Sequence, residues 1–202
     1  MPRKIAKLKA NKTVLLVVEG PTERTYFLDV KANTRIPGVT VIPKLSKHSD
    51  LSTVLKTAIT EFDSGAYDSV WCVFDRDTIV ANGMSKTIAK QYEDAKDRGI
   101  RFADSMPAFE IWFLLHYDTP NMYYRTQDGV IDDLKKYIPD YSKNQEWLSS
   151  AKLYSKLKPY FDNAMNGAEN LNKRMAESGN PKASSCNVNK LFEDLQRQYV
   201  RS

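Results

Sequence analysis

The chain has 202 residues, 42% of them hydrophobic, enough for one folded domain with a sizeable core, which excludes disorder along its whole length. A formal net charge of +5 favours a polyanionic partner, while two cysteines and two histidines exclude a disulfide framework and a histidine-rich metal centre. No apolar run reaches transmembrane length, and the chain opens on Met1-Pro2-Arg3-Lys4, so the expectation is a cytoplasmic protein with no membrane partner.

Residues 1–12 carry Arg3, Lys4, Lys7, Lys9 and Lys12 and no acid. This stretch reads either as a solvated tail or as a basic arm that meets phosphates. Residues 13–18 are a continuous β-branched and apolar run, the pattern of a strand buried on both faces. Gly20-Pro21 breaks it, and Pro21 suits the first turn of a helix whose apolar face is Tyr26, Phe27 and Val30. A second, shorter strand spans 38–42 and ends at Pro43. Residues 51–62 then place Val54, Leu55, Ala58, Ile59 and Phe62 at helical spacing. A third strand covers 69–74, a helix 85–98 stops at Gly99, and a fourth strand covers 100–103. Pro107 precedes a very apolar stretch, 108–116. Strand and helix alternate over 13–118, which predicts an α/β domain with a parallel sheet and helices on both faces.

Beyond Asp118 the texture changes. Residues 121–128 read as a polar, aromatic loop, in which Tyr123, Tyr124 and Arg125 either cover the fold or stack on unpaired bases. Residues 132–136, 146–158 and 160–177 look helical, 178–185 is a break, and Val188, Leu191, Phe192, Leu195 and Tyr199 mark a last amphipathic helix. The region 119–202 is therefore a helical extension that completes the domain.

Two acidic motifs follow buried strands: Glu19-Gly20 after the first and Asp75-Arg76-Asp77 after the third. In open parallel sheets, ligands bind at the carboxyl ends of the strands. Residues two apart on an extended segment point the same way, so Asp75 and Asp77 are expected to face one point. Glu19 joins them if the two strands are neighbours. Carboxylates so crowded repel one another unless a cation offsets them, and oxygen ligands favour Mg²⁺ or Mn²⁺. Such an ion polarises a phosphoryl oxygen and generates an attacking hydroxide.

The residues around these motifs resemble a known family. Val17-Val-Glu-Gly-Pro-Thr-Glu-Arg-Thr-Tyr-Phe27 resembles the opening motif of Toprim domains in RloB-like proteins, and Val73-Phe-Asp-Arg-Asp77 resembles their Asp-x-Asp motif. Residues 105–116, Ser-Met-Pro-Ala-Phe-Glu-Ile-Trp-Phe-Leu-Leu-His, are similar to the third block, and Asn180-Pro181 with Val188 and Leu191 to the last. That last block departs from the family pattern: a Ser or Thr is usual close to the proline, and here Ser184 or Ser185 is the nearest substitute. The resemblance implies a Toprim fold, Glu19 as general acid–base or metal carboxylate, and Asp75 and Asp77 as metal ligands. It further implies a role in antiphage defence, with abortive infection as the outcome, beside an ABC- or AAA-type ATPase partner. The chain itself shows no Walker A pattern.

Further candidates have competing readings. Glu23 is either a first-turn acid favoured by the helix dipole or a second metal ligand. Glu110 sits among Phe109, Ile111, Trp112 and Phe113, where a carboxylate is seldom buried without a partner; it faces water or completes the metal cluster. His116 is expected as a protonated cap of a helix C-terminus, with catalysis as the alternative. Arg76 should point away from its flanking aspartates, toward a phosphate or a surface acid. Lys182 and Lys190, with Arg3 and Lys4, are the remaining nucleic-acid-binding candidates. The leading expectation is thus a Mg²⁺-dependent endonuclease acting on RNA, tRNA included, or on DNA, and a homodimer is compatible with it. The alternative is a latent or non-catalytic subunit that binds nucleic acid or the ATPase.

Overall fold

The apolar run after Lys12 forms strand β1 (Lys12–Val18), and Val14 to Val18 are all buried. The structure is a computed structural model that describes residues 12–34, 39–48, 50–120 and 123–200; Arg3, Lys4, Lys7, Lys9, Gly38, Asn121 and the Tyr199 side chain lie outside what is described. Helix α1 (Pro21–Asn33) follows with Pro21 in its first turn, and buries Tyr26, Phe27 and Val30 as their spacing predicts. Strand β2 (Val39–Leu45) runs through Pro43 where the sequence suggested a stop. β2 is an edge strand, and an edge tolerates a residue without an N–H.

Helix α2 (Leu51–Asp63) is capped by Asp50, whose carboxylate accepts the Thr53 N–H at 2.9 Å. Strand β3 (Ser69–Asp75) is followed at once by a short helix, α3 (Asp77–Asn82), which the sequence pattern did not reveal. Helix α4 (Lys86–Asp97) is capped by the Ser85 hydroxyl. Strand β4 (Arg101–Met106) extends past the apolar residues into Asp104 and Ser105 because both polar side chains find partners inside. The apolar stretch after Pro107 holds the short helix α5 (Glu110–Leu114). The remaining elements are α6 (Gln127–Leu134), α7 (Gln145–Ala151), α8 (Leu153–Leu157), a 3-10 turn (Lys158–Tyr160), α9 (Phe161–Ser178), a two-residue strand β5 (Ser185–Cys186) and α10 (Val188–Val200).

The sheet order is β2-β1-β3-β4-β5; all neighbours are parallel except β5, which runs antiparallel to β4. β1 alternates its side chains between two cores. Leu15 and Val17 join Val70, Cys72 and Phe74 under α2 and α4. Val14, Leu16 and Val18 join Tyr26, Phe27, Trp112 and the buried faces of α6 to α10. The C-terminal helices thus share one core with α1 and the sheet, and β5 adds a strand to it. No described helix is long and apolar enough to cross a membrane.

Candidate active site

β1 and β3 are hydrogen-bonded neighbours, with Val18 opposite Val73, so the acids that follow them emerge together at their carboxyl ends. The Glu19 N–H donates to the Val73 carbonyl at 3.1 Å, and Glu19 Oε2 accepts the Asp75 N–H, also at 3.1 Å. Glu19 is half-buried, and burial raises its carboxyl pKa; the Asp75 N–H opposes the rise and the nearby Asp77 charge adds to it.

One turn into α1, Glu23 is buried and its pKa is pushed up to about 7, first by burial and then by the charges of Glu110 and Glu19. Asp75 is raised well above the usual carboxylate range, by burial and then by Glu23, Glu110 and Glu19. Its Oδ1 is buried with no hydrogen-bond partner among the described residues. Gly20 leaves room for the Glu23 carboxylate: a Cβ there would lie 2.8 Å from Glu23 Oε2 and would shift that side chain. Its backbone is extended (φ −129°, ψ 171°), so conformational freedom is not the reason for the glycine.

Glu110, wholly buried in α5, is held on every side. Oε1 accepts the Tyr141 hydroxyl at 2.8 Å and faces Lys143 Nζ at 3.1 Å, while Oε2 accepts Gln127 Nε2 at 2.9 Å. Gln127, Tyr141 and Lys143 were not singled out from the sequence. The signal was indirect: a carboxylate in an apolar run needs partners, but these lie 17 and more residues further along the chain. Lys143 also lowers the pKa of Glu19, Glu23 and Asp75.

The structure corrects several expectations. Asp75 and Asp77 do not face one point, because Arg76 is helical (φ −94°, ψ −3°) and Asp77 opens α3, which ends the two-residue alternation at Asp75. Asp77 is exposed, and its Oδ1 accepts the Thr78 N–H at 2.6 Å. Arg76 meets an acid, the second of its two readings, although that acid is buried and not at the surface: its Nε pairs with Asp104 at 2.7 Å and its guanidinium donates to the Ser185 hydroxyl. His116 is not a protonated cap. It is buried beside Trp112 and Phe161, its Nδ1 bonds the Trp112 carbonyl at 2.8 Å, and burial lowers its pKa to about 4. Ser184 accepts the Tyr124 N–H. Lys182 lines a groove beside Asp77, whereas Lys190 is an exposed residue of α10.

Glu19, Glu23, Asp75 and Glu110 thus form a crowded acidic cluster, made wholly of hard oxygen donors, against one facing ammonium. That donor set and the unpartnered Asp75 Oδ1 fit a hard divalent cation. Among the described residues, no group of three or more His, Cys, Asp or Glu side chains is placed to hold a metal ion together. Mg²⁺ does not demand one, since it is commonly held by one or two carboxylates with water and phosphate oxygens in the other positions.

A family model described as RloB-like protein matches residues 14–195, a span that includes every residue of this cluster. No curated protein and no solved structure matches the chain.

Proposed function

The chain belongs to the RloB-like family, and from that premise we propose that it is a Mg²⁺- or Mn²⁺-dependent nuclease that hydrolyses phosphodiester bonds of RNA or DNA. The observation that carries the reading is the cluster of Glu19, Glu23, Asp75 and Glu110 at the carboxyl ends of β1 and β3, with Asp75 Oδ1 buried and unpartnered. A fold gains nothing from gathering like charges in a partly desolvated hollow, so their retention there points to a ligand.

Asp75, with Glu23 or Glu19 as a second carboxylate, would hold the ion and leave its other positions to water and phosphate oxygens, with Asp77 at the exposed rim. When bound, the ion supplies charge neutralisation of the phosphodiester and acidification of the attacking water. Glu19, half-buried and oriented by the Asp75 N–H, takes up the proton of that water. Glu110, fixed by Gln127, Tyr141 and Lys143, adds to the negative potential of the hollow. Our reading puts this activity in antiphage defence beside a controlling ATPase partner, a proposal that family membership supports.

A latent form of the same protein is the second reading. Lys143 already lies against Glu110, and no described group forms a ready cage, so a partner could switch the site by rearranging it.

The test is incubation of the purified chain with end-labelled RNA and DNA in Mg²⁺, Mn²⁺ or EDTA. Cleavage by wild type with the metals, lost in EDTA and in Asp75→Asn, supports the proposal. Equal cleavage by wild type and Asp75→Asn rejects the site.

A further inference from the structure

Beside the carboxylates lies a groove of about 900 Å³ to which the chemistry above gives no role. It shares a wall with the cluster: Gln127 lines the groove and also donates to Glu110, and Asp77 lines the groove while acting on Glu19. Its other lining residues include Tyr123, Arg125 and Lys182.

Tyr123 and Tyr124 are adjacent but differ in kind. Tyr124 is fixed to the fold: its N–H donates to Ser184 Oγ at 3.0 Å and its hydroxyl donates to Asp133. Tyr123 is 55% exposed and lines the groove, so its ring is open to a ligand there. Tyr124 therefore anchors the backbone that presents Tyr123 to the groove. A free aromatic face beside two cations is the arrangement that holds an unpaired base by stacking and its backbone by charge. Asp77 and Asp128 on the same wall offset those cations, so stacking carries the larger share.

The size agrees. Pockets for small organic ligands run from ~300 to ~1,000 Å³, room for one or two splayed nucleotides. A duplex keeps its base faces stacked on one another, out of reach of a side chain on the wall.

We propose that this groove binds an unpaired nucleotide of the polynucleotide substrate, its base against Tyr123 and its phosphate toward Arg125 and Lys182. The inference rests on the nuclease reading for what happens at the adjoining carboxylates, but not for the binding itself. The substrate class is then single-stranded or looped nucleic acid. Stacking is indifferent to the sugar, so RNA and DNA are separated by experiment.

The experiment is fluorescence anisotropy in EDTA with the full chain and a labelled oligonucleotide of about twelve nucleotides, offered as single-stranded RNA, single-stranded DNA and a blunt duplex. The expected result is single-strand binding roughly tenfold tighter than duplex binding, with loss of about fivefold or more in Tyr123→Ala and near-full retention in Tyr123→Phe. Lys182→Ala should weaken all three probes. Tyr123 is exposed, and a thermal melt of each variant establishes that it is folded. Equal affinity for duplex and single strand, a Tyr123→Ala variant that binds like wild type, or no measurable binding overturns the proposal. Since no metal or turnover is involved, a chain that binds through Tyr123 yet never cleaves leaves the groove standing, sinks the reading of an active nuclease and favours the latent form. A chain that cleaves but ignores Tyr123 sinks the groove alone.

Discussion

Glu19 Oε2 accepts the backbone N–H of Asp75 across 56 residues of sequence, so one acid of the cluster orients the strand end that carries another. The bond needs an acceptor oxygen, not a charge. Glu19→Gln keeps the acceptor and removes the proton-accepting carboxylate, while Glu19→Ala removes both. Both should lose cleavage by ~10² or more, the usual contribution of a positioned general base. They should separate in thermal stability, with Gln at or above wild type and Ala below it by about 1 kcal/mol. If Gln cleaves as well as wild type, Glu19 handles no proton.

Glu23 should make the metal-free protein less stable as pH rises. Its pKa is 4.5 in the ordinary state and about 7 when buried beside Glu110 and Glu19. The folded chain therefore holds this proton longer than the unfolded chain does. Below 4.5 both states are protonated and nothing is lost. Between 4.5 and 7 stability falls, and above 7 the full penalty stands, on the order of 3 kcal/mol. Glu23→Gln should abolish that loss, raising stability in denaturant melts at about pH 8 and leaving it unchanged near pH 4. Saturating Mg²⁺ should do the same for wild type by neutralising the carboxylate. A Glu23→Gln profile parallel to that of wild type would show that this acid carries no such strain.

His116 has the opposite sign. Burial lowers its pKa from 6.5 to about 4, so the folded state resists the proton that the unfolded state accepts. Its contribution is complete above 6.5 and is lost as pH falls toward 4, by about 2 kcal/mol at roughly pH 5. His116→Leu should flatten that acid limb, at the cost of the Trp112 carbonyl bond. Together the two opposing slopes largely cancel between about pH 4.5 and 6.5, so their joint profile is broad and mildly acidic, and each variant unmasks the slope of the other. If His116→Leu leaves the acid limb as steep as before, carboxylates elsewhere produce it.

Much of this was legible in the sequence. The β-branched run ending in Glu19 and the apolar run ending in Asp75 both became strands, because burial on two faces leaves a distinctive composition. The Glu19–Asp75 approach needed one further fact, that β1 and β3 are neighbours, which no local pattern encodes. The position of Asp77 was misjudged because the alternation argument assumes extended backbone, and a six-residue helix begins at that residue. β5 is two residues long, too short for any periodicity. Lys143 belongs to a polar stretch, Ser142-Lys143-Asn144, that looks like any solvated turn until α5 and α7 bring it to Glu110.

That lysine supports the last prediction. Lys143 Nζ lies 3.1 Å from Glu110 Oε1, and its charge opposes the raised pKa of Glu19, Glu23 and Asp75. It is 44% exposed, so water screens much of its attraction, and removing it should cost the metal-free protein about 1 kcal/mol or less. Glu110 keeps its bonds to Tyr141 and Gln127 in either case. The informative quantity is the response to a divalent ion. In Lys143→Met the uncompensated charge in the hollow is larger, so Mn²⁺ should raise the melting temperature further than in wild type, and the two proteins should converge at saturating ion. Calorimetric titration should show tighter Mn²⁺ binding to the variant for the same reason. An equal rise in both proteins would mean that Lys143 serves Glu110 alone and does not act on the ion-binding hollow.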